Sequence, residues 1–160
     1  MTVGKEINLL RNYPQSKRDV SGRLDVKTKE DQRIAQKFGK EFFDGSRNHG
    51  YGGFSYSPRF WQPVIPTFQK HWSLTGEDSL LDIGCAKGFM LHDLKQLIPD
   101  IIVHGVDISK YAINNAKNEV KRYCKVSNAT ELPFDDKSID VCISVTTLHN
   151  LEEKDLIKAL

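Results

Sequence analysis

Paired cysteines, long apolar runs and a secretory signal are all missing from this sequence of 160 residues. The three cysteines lie singly, with no Cys-x-x-Cys pair among them, at Cys85, Cys124 and Cys142. Their number and spacing argue against both a disulfide framework and a zinc site, so we expect no metal. No apolar run approaches the roughly 18 residues that a membrane-crossing helix needs. The polar start, MTVGKEINLL, lacks the apolar segment of a secretory signal, so a cytoplasmic protein is expected.

A large excess of one charge is also missing. The 23 Lys and Arg residues nearly balance the 21 Asp and Glu residues, which gives a formal net charge of +2. This charge is too small for a protein that binds nucleic acid by neutralising phosphates. With 39% hydrophobic and 28% charged residues, the composition is typical of an ordinary soluble globular protein. We therefore expect neither nucleic acid nor a membrane as a partner.

The sequence changes character near residue 79. Residues 1–27 are polar and have few apolar anchors, which indicates a loose arm. From Leu80 onward, short apolar runs alternate regularly with helical patterns. We therefore predict an N-terminal extension over residues 1–79 and a core over residues 80–160.

Within the extension, two segments have a recognisable pattern. The spacing of apolar residues predicts a helix over residues 28–43, with Thr28 and Asp31 forming its N-terminal cap. A loop rich in glycine and aromatic residues follows over residues 45–61. Pro58 stands at a helix-start position and predicts a further helix, made irregular by two later prolines.

In the core, four apolar runs are typical of buried strands: SLLDIG, IIVHGVDI, YCKVSNA and IDVCISV. Between and after them lie three helical patterns, FMLHDLKQLI, KYAINNAKNEVKR with Ser109 as its cap, and LEEKDLIKAL. The first of these helices is predicted to turn one apolar face inward, at Met90, Leu91, Leu94, Leu97 and Ile98. Apolar strands alternating with helices indicate a parallel sheet covered on both sides. The predicted fold is α/β, doubly wound and Rossmann-like.

The first strand runs through a glycine-rich turn, LLDIGCAKG, into a helix. Such a turn brings backbone N–H groups and a helix N-terminus to an anionic or polar ligand. A nicotinamide or flavin fingerprint needs glycines where this chain has the methyl group of Ala86 and the ring of Phe89. No Gly-Lys-Ser or Gly-Lys-Thr follows, which excludes a nucleoside-triphosphate loop.

This turn resembles motif I of the class I S-adenosylmethionine-dependent methyltransferases, in which an acidic residue precedes a G-x-G-x-G turn. Asp82, Gly84 and Gly88 match that motif, and Ala86 departs from it at the middle glycine. Asp107 lies 23 positions after Gly84, at the end of the second strand, where an acid can accept hydrogen bonds from both ribose hydroxyls of an adenosine.

Two later stretches extend the resemblance to residues 80–151. The stretch SNATELPF is similar to the adenine-contacting loop of the family, with Asn128 in place of the usual acid. The stretch FDDKSIDV is similar to the family's loop and entry into the fourth strand. The chain thus resembles the large, substrate-diverse group of bacterial small-molecule methyltransferases. This resemblance implies S-adenosylmethionine as cofactor and a small-molecule methyl acceptor. The cofactor-binding residues that it implies are Asp82, Gly84, Cys85, Ala86, Gly88, Asp107, Ile108, Asn128, Ala129 and Ser144.

The resemblance also suggests where the acceptor lies. His149 follows the fourth strand at the substrate edge and is a candidate general base, although a base is optional for a cofactor that carries an activated methyl group. Residues ahead of the first strand often fold over the cofactor as a lid in this family, which suggests that role for His49, Tyr51 and Tyr56. The alternative for this segment is a hydrophobic flap that packs on the core.

The family's sheet has seven strands, whereas this sequence supplies four, in the expected order 3-2-1-4. We expect either that the chain is the N-terminal part of a longer methyltransferase or that another chain covers the exposed edge of the fourth strand. Two alternatives to a methyltransferase follow: a remnant that binds S-adenosylmethionine without catalysis, and, less in keeping with Ala86 and Phe89, a nicotinamide-dependent enzyme.

Overall fold

The computed structural model describes residues 4–15 and 27–160, and much of the predicted polar arm lies outside these residues. Its centre is a four-stranded, all-parallel sheet. The strands are β1 (Ser79–Ile83), β2 (Ile102–Asp107), β3 (Cys124–Val126) and β4 (Val141–Ile143). They lie in the order β3-β2-β1-β4, which confirms the predicted arrangement.

Strand β1 lies between β2 and β4, and every one of its residues is buried. It pairs with β2 from Ser79 opposite Ile102 to Ile83 opposite Val106, and with β4 through Leu80 to Asp82. An apolar strand of this kind needs cover on both faces. Parallel pairing places the ends of β1 and β2 at one edge of the sheet, where the glycine turn begins.

Along the chain, helices precede, connect and follow these strands. They are α1 (Lys29–Ala35), α2 (Lys40–Asp44), α3 (Pro58–Trp61), α4 (Ile65–Trp72), α5 (Phe89–Leu97), α6 (Lys110–Asn114), α7 (Asn118–Lys121) and α8 (Glu153–Ala159). The larger apolar cluster joins α4 and α5 to one sheet face through Phe68, Leu80, Leu91, Leu94 and Val103. On the other face, Leu81, Ile83 and Val106 pack against the loop after β3, at Leu132 and Phe134.

The predicted inward face of α5 is correct except at one position. Met90, Leu91 and Leu94 are buried, and so is Ile98, just past the end of the helix. Leu97, however, is 42% exposed. The helix ends at this residue, and the chain turns so that Ile98 takes the buried place.

Two predicted helices are each divided in the structure. The segment over residues 28–43 forms α1 and α2, because Phe38 adopts a left-handed conformation with φ of 46° between them. The segment after Ser109 forms α6 and α7, interrupted where the Lys117 amide donates to the Lys87 carbonyl at 3.0 Å. Periodicity does not detect either interruption, because apolar residues recur at helical spacing across both of them.

The predicted caps are confirmed. The Thr28 hydroxyl accepts from the Asp31 amide at 3.1 Å, and the Asp31 carboxylate accepts from the Thr28 amide at 2.9 Å, which is a capping box. The Ser109 hydroxyl likewise accepts from the Ala112 amide at 3.0 Å at the start of α6. Pro58 opens α3, as its position predicts.

The two outer strands are shorter than their apolar runs. β3 and β4 have three residues each, and in β4 Ile143 is buried whereas Cys142 is exposed. In the part of the chain that the structure describes, no helix has the length and apolar character needed to cross a membrane.

The outer edge of β4 leads to a prediction of self-association. Among the described residues β4 pairs with β1 alone, and an unpaired edge favours pairing with another chain. We expect the 160-residue chain to form dimers or larger species in size-exclusion chromatography with light scattering, in reducing buffer. Cys142→Lys, which places a charge on the strand, should shift the chain toward monomer, whereas Cys142→Ser should not. A native chain that stays monomeric at every concentration and melts cooperatively would contradict the prediction.

Candidate functional site

The turn between β1 and α5 holds three residues in the left-handed region. The φ angles of Gly84, Ala86 and Gly88 are 90°, 49° and 70°. At Gly84 a side chain is excluded outright, because a Cβ atom there would lie 1.9 Å from the Thr147 hydroxyl oxygen. The Gly84 and Cys85 amides both donate to the Val106 carbonyl, at 2.8 and 3.0 Å, which fixes the turn on the end of β2.

Asp107, the last residue of β2, lies against this turn as its spacing predicts. One carboxylate oxygen accepts from the Ala86 amide at 2.8 Å, and the other accepts from the Ser109 amide at 2.8 Å. Burial raises the pKa of Asp107, although these two hydrogen bonds partly oppose the shift. The carboxylate is therefore held rigidly at the point where the first two strands end.

Asp107 lines a cleft of about 350 Å³ that lies over the end of β2, here called the β2 cleft. The structure brings six predicted binding residues together in it: Gly84, Ala86, Asp107, Ile108, Asn128 and Ala129. The Ile108 side chain is 58% exposed beside this cleft. The Asn128 amide oxygen accepts from the Thr130 amide at 3.1 Å, which fixes the orientation of the side chain.

A second cleft of about 680 Å³ lies on the other side of the turn, here called the aromatic cleft. Asp82, Gly84, Cys85 and Ala86 line its inner end. Burial, with a smaller contribution from the charge of Asp107, raises the pKa of Asp82 to about 8. The two clefts share a wall formed by Tyr51, Gly84, Ala86, Val145 and Thr146, so they meet at the turn.

An ion pair between buried Lys87 and half-buried Asp44 attaches the glycine and aromatic segment to the turn. The Lys87 ammonium donates to both oxygens of Asp44, at 2.9 and 2.7 Å, and to the Phe54 carbonyl at 2.8 Å. Asp44 also accepts from the Phe54 amide at 2.9 Å and the Tyr111 hydroxyl at 2.7 Å. Burial acts to raise the pKa of Asp44, but the hydrogen bonds from Lys87, Phe54 and Tyr111 outweigh it and hold that pKa at about 2.

Of the three predicted lid residues, the structure brings Tyr51 to the clefts and places the other two elsewhere. Tyr51 lines both clefts. His49 lies between Asp31 and Glu41, at 3.2 and 3.3 Å, so its ring turns toward α1 and α2. The Tyr56 hydroxyl donates to Asp93 at 2.6 Å, and burial together with Asp93 raises the pKa of Tyr56 to about 12. Tyr56 therefore attaches the segment to α5.

Two further predicted site residues, His149 and Ser144, line neither cleft, and the same holds for Gly88 of the turn. His149 is exposed in a short 3-10 turn, Leu148–Asn150, and lines neither cleft. The Ser144 hydroxyl donates to the Ile83 carbonyl at 3.2 Å, so it is occupied by the neighbouring strand. Gly88 is buried at the start of α5 and shapes the turn from behind.

Sequence reasoning missed Asp44 and Lys87, the residues that join the aromatic segment to the turn. The signal in the sequence was a lysine inside the glycine turn, Cys85-Ala86-Lys87-Gly88. In the structure Lys87 is 8% exposed, and a buried charged residue needs a partner. The partner lies 43 positions earlier in the chain, and no spacing rule identifies it.

The parallel sheet and its helices have the fold of the class I methyltransferases, as the resemblance of the turn implies. The chain belongs to the methyltransferase domain family, whose model matches residues 81–160.

Solved structures share this fold at low sequence identity. Similar chains include phosphoethanolamine N-methyltransferase 2 of Haemonchus contortus, at 22% identity and a TM-score of 0.54, over 89% of this chain and 34% of that one. An S-adenosylmethionine-dependent methyltransferase of Clostridium acetobutylicum is 19% identical, with a TM-score of 0.50, over 62% of this chain and 42% of that one. The former was solved with phosphomonomethylethanolamine and S-adenosylhomocysteine.

A sequence relative with no assigned activity comes from Methanocaldococcus jannaschii. It is 40% identical over 67 residues, which are 42% of this chain and 24% of the relative. The chain thus spans about a quarter of that relative, and between a third and a half of the two solved structures.

The geometry of Gly88 leads to a prediction about ligand binding. A Cβ atom there would lie 3.0 Å from a Val120 methyl carbon and 3.3 Å from the Cys124 sulfur. Gly88→Val should abolish S-adenosylmethionine binding in calorimetric titration, because a β-branched side chain at this φ forces the turn to move. Ala86→Gly is the matched control, since its φ of 49° already suits glycine, and it should change the unfolding free energy by less than about 1 kcal/mol. A folded Gly88→Val variant with native affinity would show that the turn is only structural.

The Asp44 ion pair leads to a prediction about stability. Asp44→Asn should lower the unfolding free energy by about 2–3 kcal/mol at pH 7, because buried Lys87 loses its counter-charge. Glu30→Gln, in the exposed pair with Arg33, should cost less than about 0.5 kcal/mol.

The pH dependence of this effect has a definite sign. The folded pKa of Asp44, about 2, is below its unfolded value of 3.8, so the stabilisation is complete above pH 4 and is lost as the pH falls toward 2. Urea unfolding followed by circular dichroism at pH 7 and pH 3 should show a smaller difference between the native chain and Asp44→Asn at pH 3. An equal difference at both values would mean that the ionised Asp44 does not supply the stabilisation.

Proposed function

We propose that this chain binds S-adenosylmethionine and transfers the methyl group to a small-molecule acceptor in the cytoplasm. The observation that carries the proposal is the position of Asp107, fixed against the Ala86 amide where two clefts meet. A fixed carboxylate at the end of the second strand of such a sheet suits the ribose of a nucleoside. Membership of the methyltransferase domain family supports the same reaction.

The β2 cleft is suited to the adenosine half of the cofactor. Asp107 would accept hydrogen bonds from the ribose hydroxyls, which are charge-assisted and therefore strong. Ile108 and Ala129 would contact the faces of the adenine through their apolar side chains. The amide of Asn128 would form a hydrogen bond with the edge of the adenine. The apolar side chains of this cleft thus match a flat heterocycle, and the fixed carboxylate of Asp107 matches a diol.

The inner end of the aromatic cleft is suited to the methionine half. Asp82 is the acidic residue of this cleft, and burial, which raises its pKa to about 8, disfavours its ionised form. A cationic ammonium group beside it would favour its ionised form. The shared wall at Gly84 and Ala86 then lies between the two halves of the cofactor.

When bound, the cofactor supplies a methyl group that its positively charged sulfur makes electrophilic. The contribution of the chain is to orient an acceptor from the aromatic cleft and to exclude water. Orientation alone accounts for roughly 7–11 kcal/mol of barrier in the best intramolecular reactions, so a general base is optional. Transfer leaves S-adenosylhomocysteine, and an acceptor hydroxyl would release its proton to solvent or to a basic side chain. The exposed position of His149 agrees with a reaction that does not depend on a base at that residue.

A non-catalytic chain that only binds the cofactor is the second candidate, because this chain spans between a third and a half of the two similar enzymes. Turnover separates the two candidates. Release of S-adenosylhomocysteine in the presence of an acceptor supports the enzyme. Tight binding of S-adenosylmethionine with no release for any acceptor, including in a chain extended to the length of its relatives, supports the binding role.

Replacement of Asp107 tests the cofactor site directly. Asp107→Ala should weaken binding of S-adenosylmethionine by about 1.5–3 kcal/mol in calorimetric titration, because charge-assisted hydrogen bonds to the ribose are lost. Asp140→Ala is the matched control, since Asp140 also accepts two hydrogen bonds, from the Ser79 amide and hydroxyl at 2.8 and 2.6 Å, but lines neither cleft. Native affinity in a folded Asp107→Ala variant would remove Asp107 from the site.

A further inference from the structure

The outer part of the aromatic cleft carries positive charge that the proposed cofactor site does not use. The charged residues that line this cleft are Arg47, Arg59 and Asp82. Asp82 is buried at the inner end, whereas both arginines are exposed. Among residues 4–15 and 27–160, neither arginine has an acidic group within ion-pair distance. The mouth of the cleft is therefore cationic.

The walls around this charge are aromatic. Tyr13 packs against Phe60 and Trp61, with ring centroids 5.6 and 5.1 Å apart, and all three line the cleft. Phe89 and Met90 of α5 line it as well. Pockets of this kind bind the apolar body of a ligand by burial and fix its orientation through a few polar groups.

Arg59 is the polar group best placed to fix that orientation. Its guanidinium carbon lies over the Phe60 ring, 4.7 Å from the ring centre, in a cation–π contact. A guanidinium is planar, and its N–H donors match the two oxygens of a carboxylate. Arg47, by contrast, already donates to the Tyr51 carbonyl.

We propose that the aromatic cleft selects an aromatic acceptor that carries a carboxylate, and that Arg59 is the residue that binds the carboxylate. This inference rests on the proposed methyl transfer, since it names the class of acceptor for the same site. A neutral amide of the same shape would leave the guanidinium without a counter-charge, and an amine would be repelled by it.

The test uses the 160-residue chain saturated with S-adenosylhomocysteine and titrated with matched probes. The probes are benzoate, 4-hydroxybenzoate and indole-3-acetate, each compared with its own primary amide by calorimetry. At least one carboxylate should bind ten times more tightly than its amide. Arg59→Gln should bring the two within about twofold of each other.

Arg122→Gln is the matched control. The Arg122 guanidinium also lies 4.7 Å over the ring of the next residue, Tyr123, but it lines neither cleft. This variant should keep the native preference for the carboxylate. The inference is overturned if the native chain shows no preference in any of the three pairs, or if the preference survives in Arg59→Gln.

The carboxylate of the cofactor itself is the other anion that an arginine in this cleft could bind. 5′-Methylthioadenosine lacks that carboxylate, so the two sources can be separated. If Arg59→Gln weakens binding of S-adenosylhomocysteine and not of 5′-methylthioadenosine, Arg59 serves the cofactor and the inference is wrong. Equal affinity of the variant and the native chain for both nucleosides supports the acceptor role.

Failure of this inference and failure of the proposed function give different results. A native chain that does not bind S-adenosylhomocysteine overturns the proposed function, and this inference with it. A native chain that binds S-adenosylhomocysteine but does not distinguish carboxylates from amides overturns the inference alone. Equal melting temperatures of the native chain, Arg59→Gln and Arg122→Gln would show that each comparison is made between folded proteins.

Discussion

An ion pair between buried Lys87 and half-buried Asp44 connects the glycine turn to the segment that precedes the sheet. Lys87 belongs to the turn itself, and its ammonium group contacts Asp44 and the Phe54 carbonyl at 2.7–2.9 Å. Burial of a lone ammonium group would be costly, so Asp44 stabilises this form of the turn. The position of Tyr51 on both clefts depends on the same attachment, because Tyr51 and Phe54 pack together with ring centroids 4.3 Å apart. The site is therefore built jointly by the core and the extension.

The order of the strands and the residues around the turn could be predicted because they depend on local pattern. Apolar runs identify β1 and β2, and the interval from Gly84 to Asp107 is the length of one turn, helix and strand. The resulting position of Asp107 follows from parallel pairing alone. Asp44 could not be predicted in the same way, because its partner is distant in sequence and the loop between them has no periodicity.

The differences between prediction and structure in the extension and beyond β4 have a different physical origin. Phe38 takes a left-handed conformation that its sequence does not favour, and its carbonyl is held by the Ser109 hydroxyl from the start of α6. A tertiary hydrogen bond thus determines where one predicted helix becomes two. His149 is a comparable case, since strand-end position suggests a residue at the cleft, but the chain enters a 3-10 turn that leaves this side chain exposed.

The ionisable side chains of the site are acidic at the turn and basic at the mouth of the aromatic cleft. Two carboxyl groups, Asp82 and Asp107, lie at the ends of adjacent strands beside the turn, and burial raises the pKa of both. Buried carboxyl groups whose pKa is raised gain most from a cationic ligand, because the positive charge favours the form that burial disfavours. The mouth of the aromatic cleft has the opposite character, since Arg47 and Arg59 face it without an acidic partner in the described chain. A cationic cofactor at the turn and an anionic acceptor at the mouth would each meet the complementary charge. The same arrangement of charge would disfavour binding of either ligand at the position of the other.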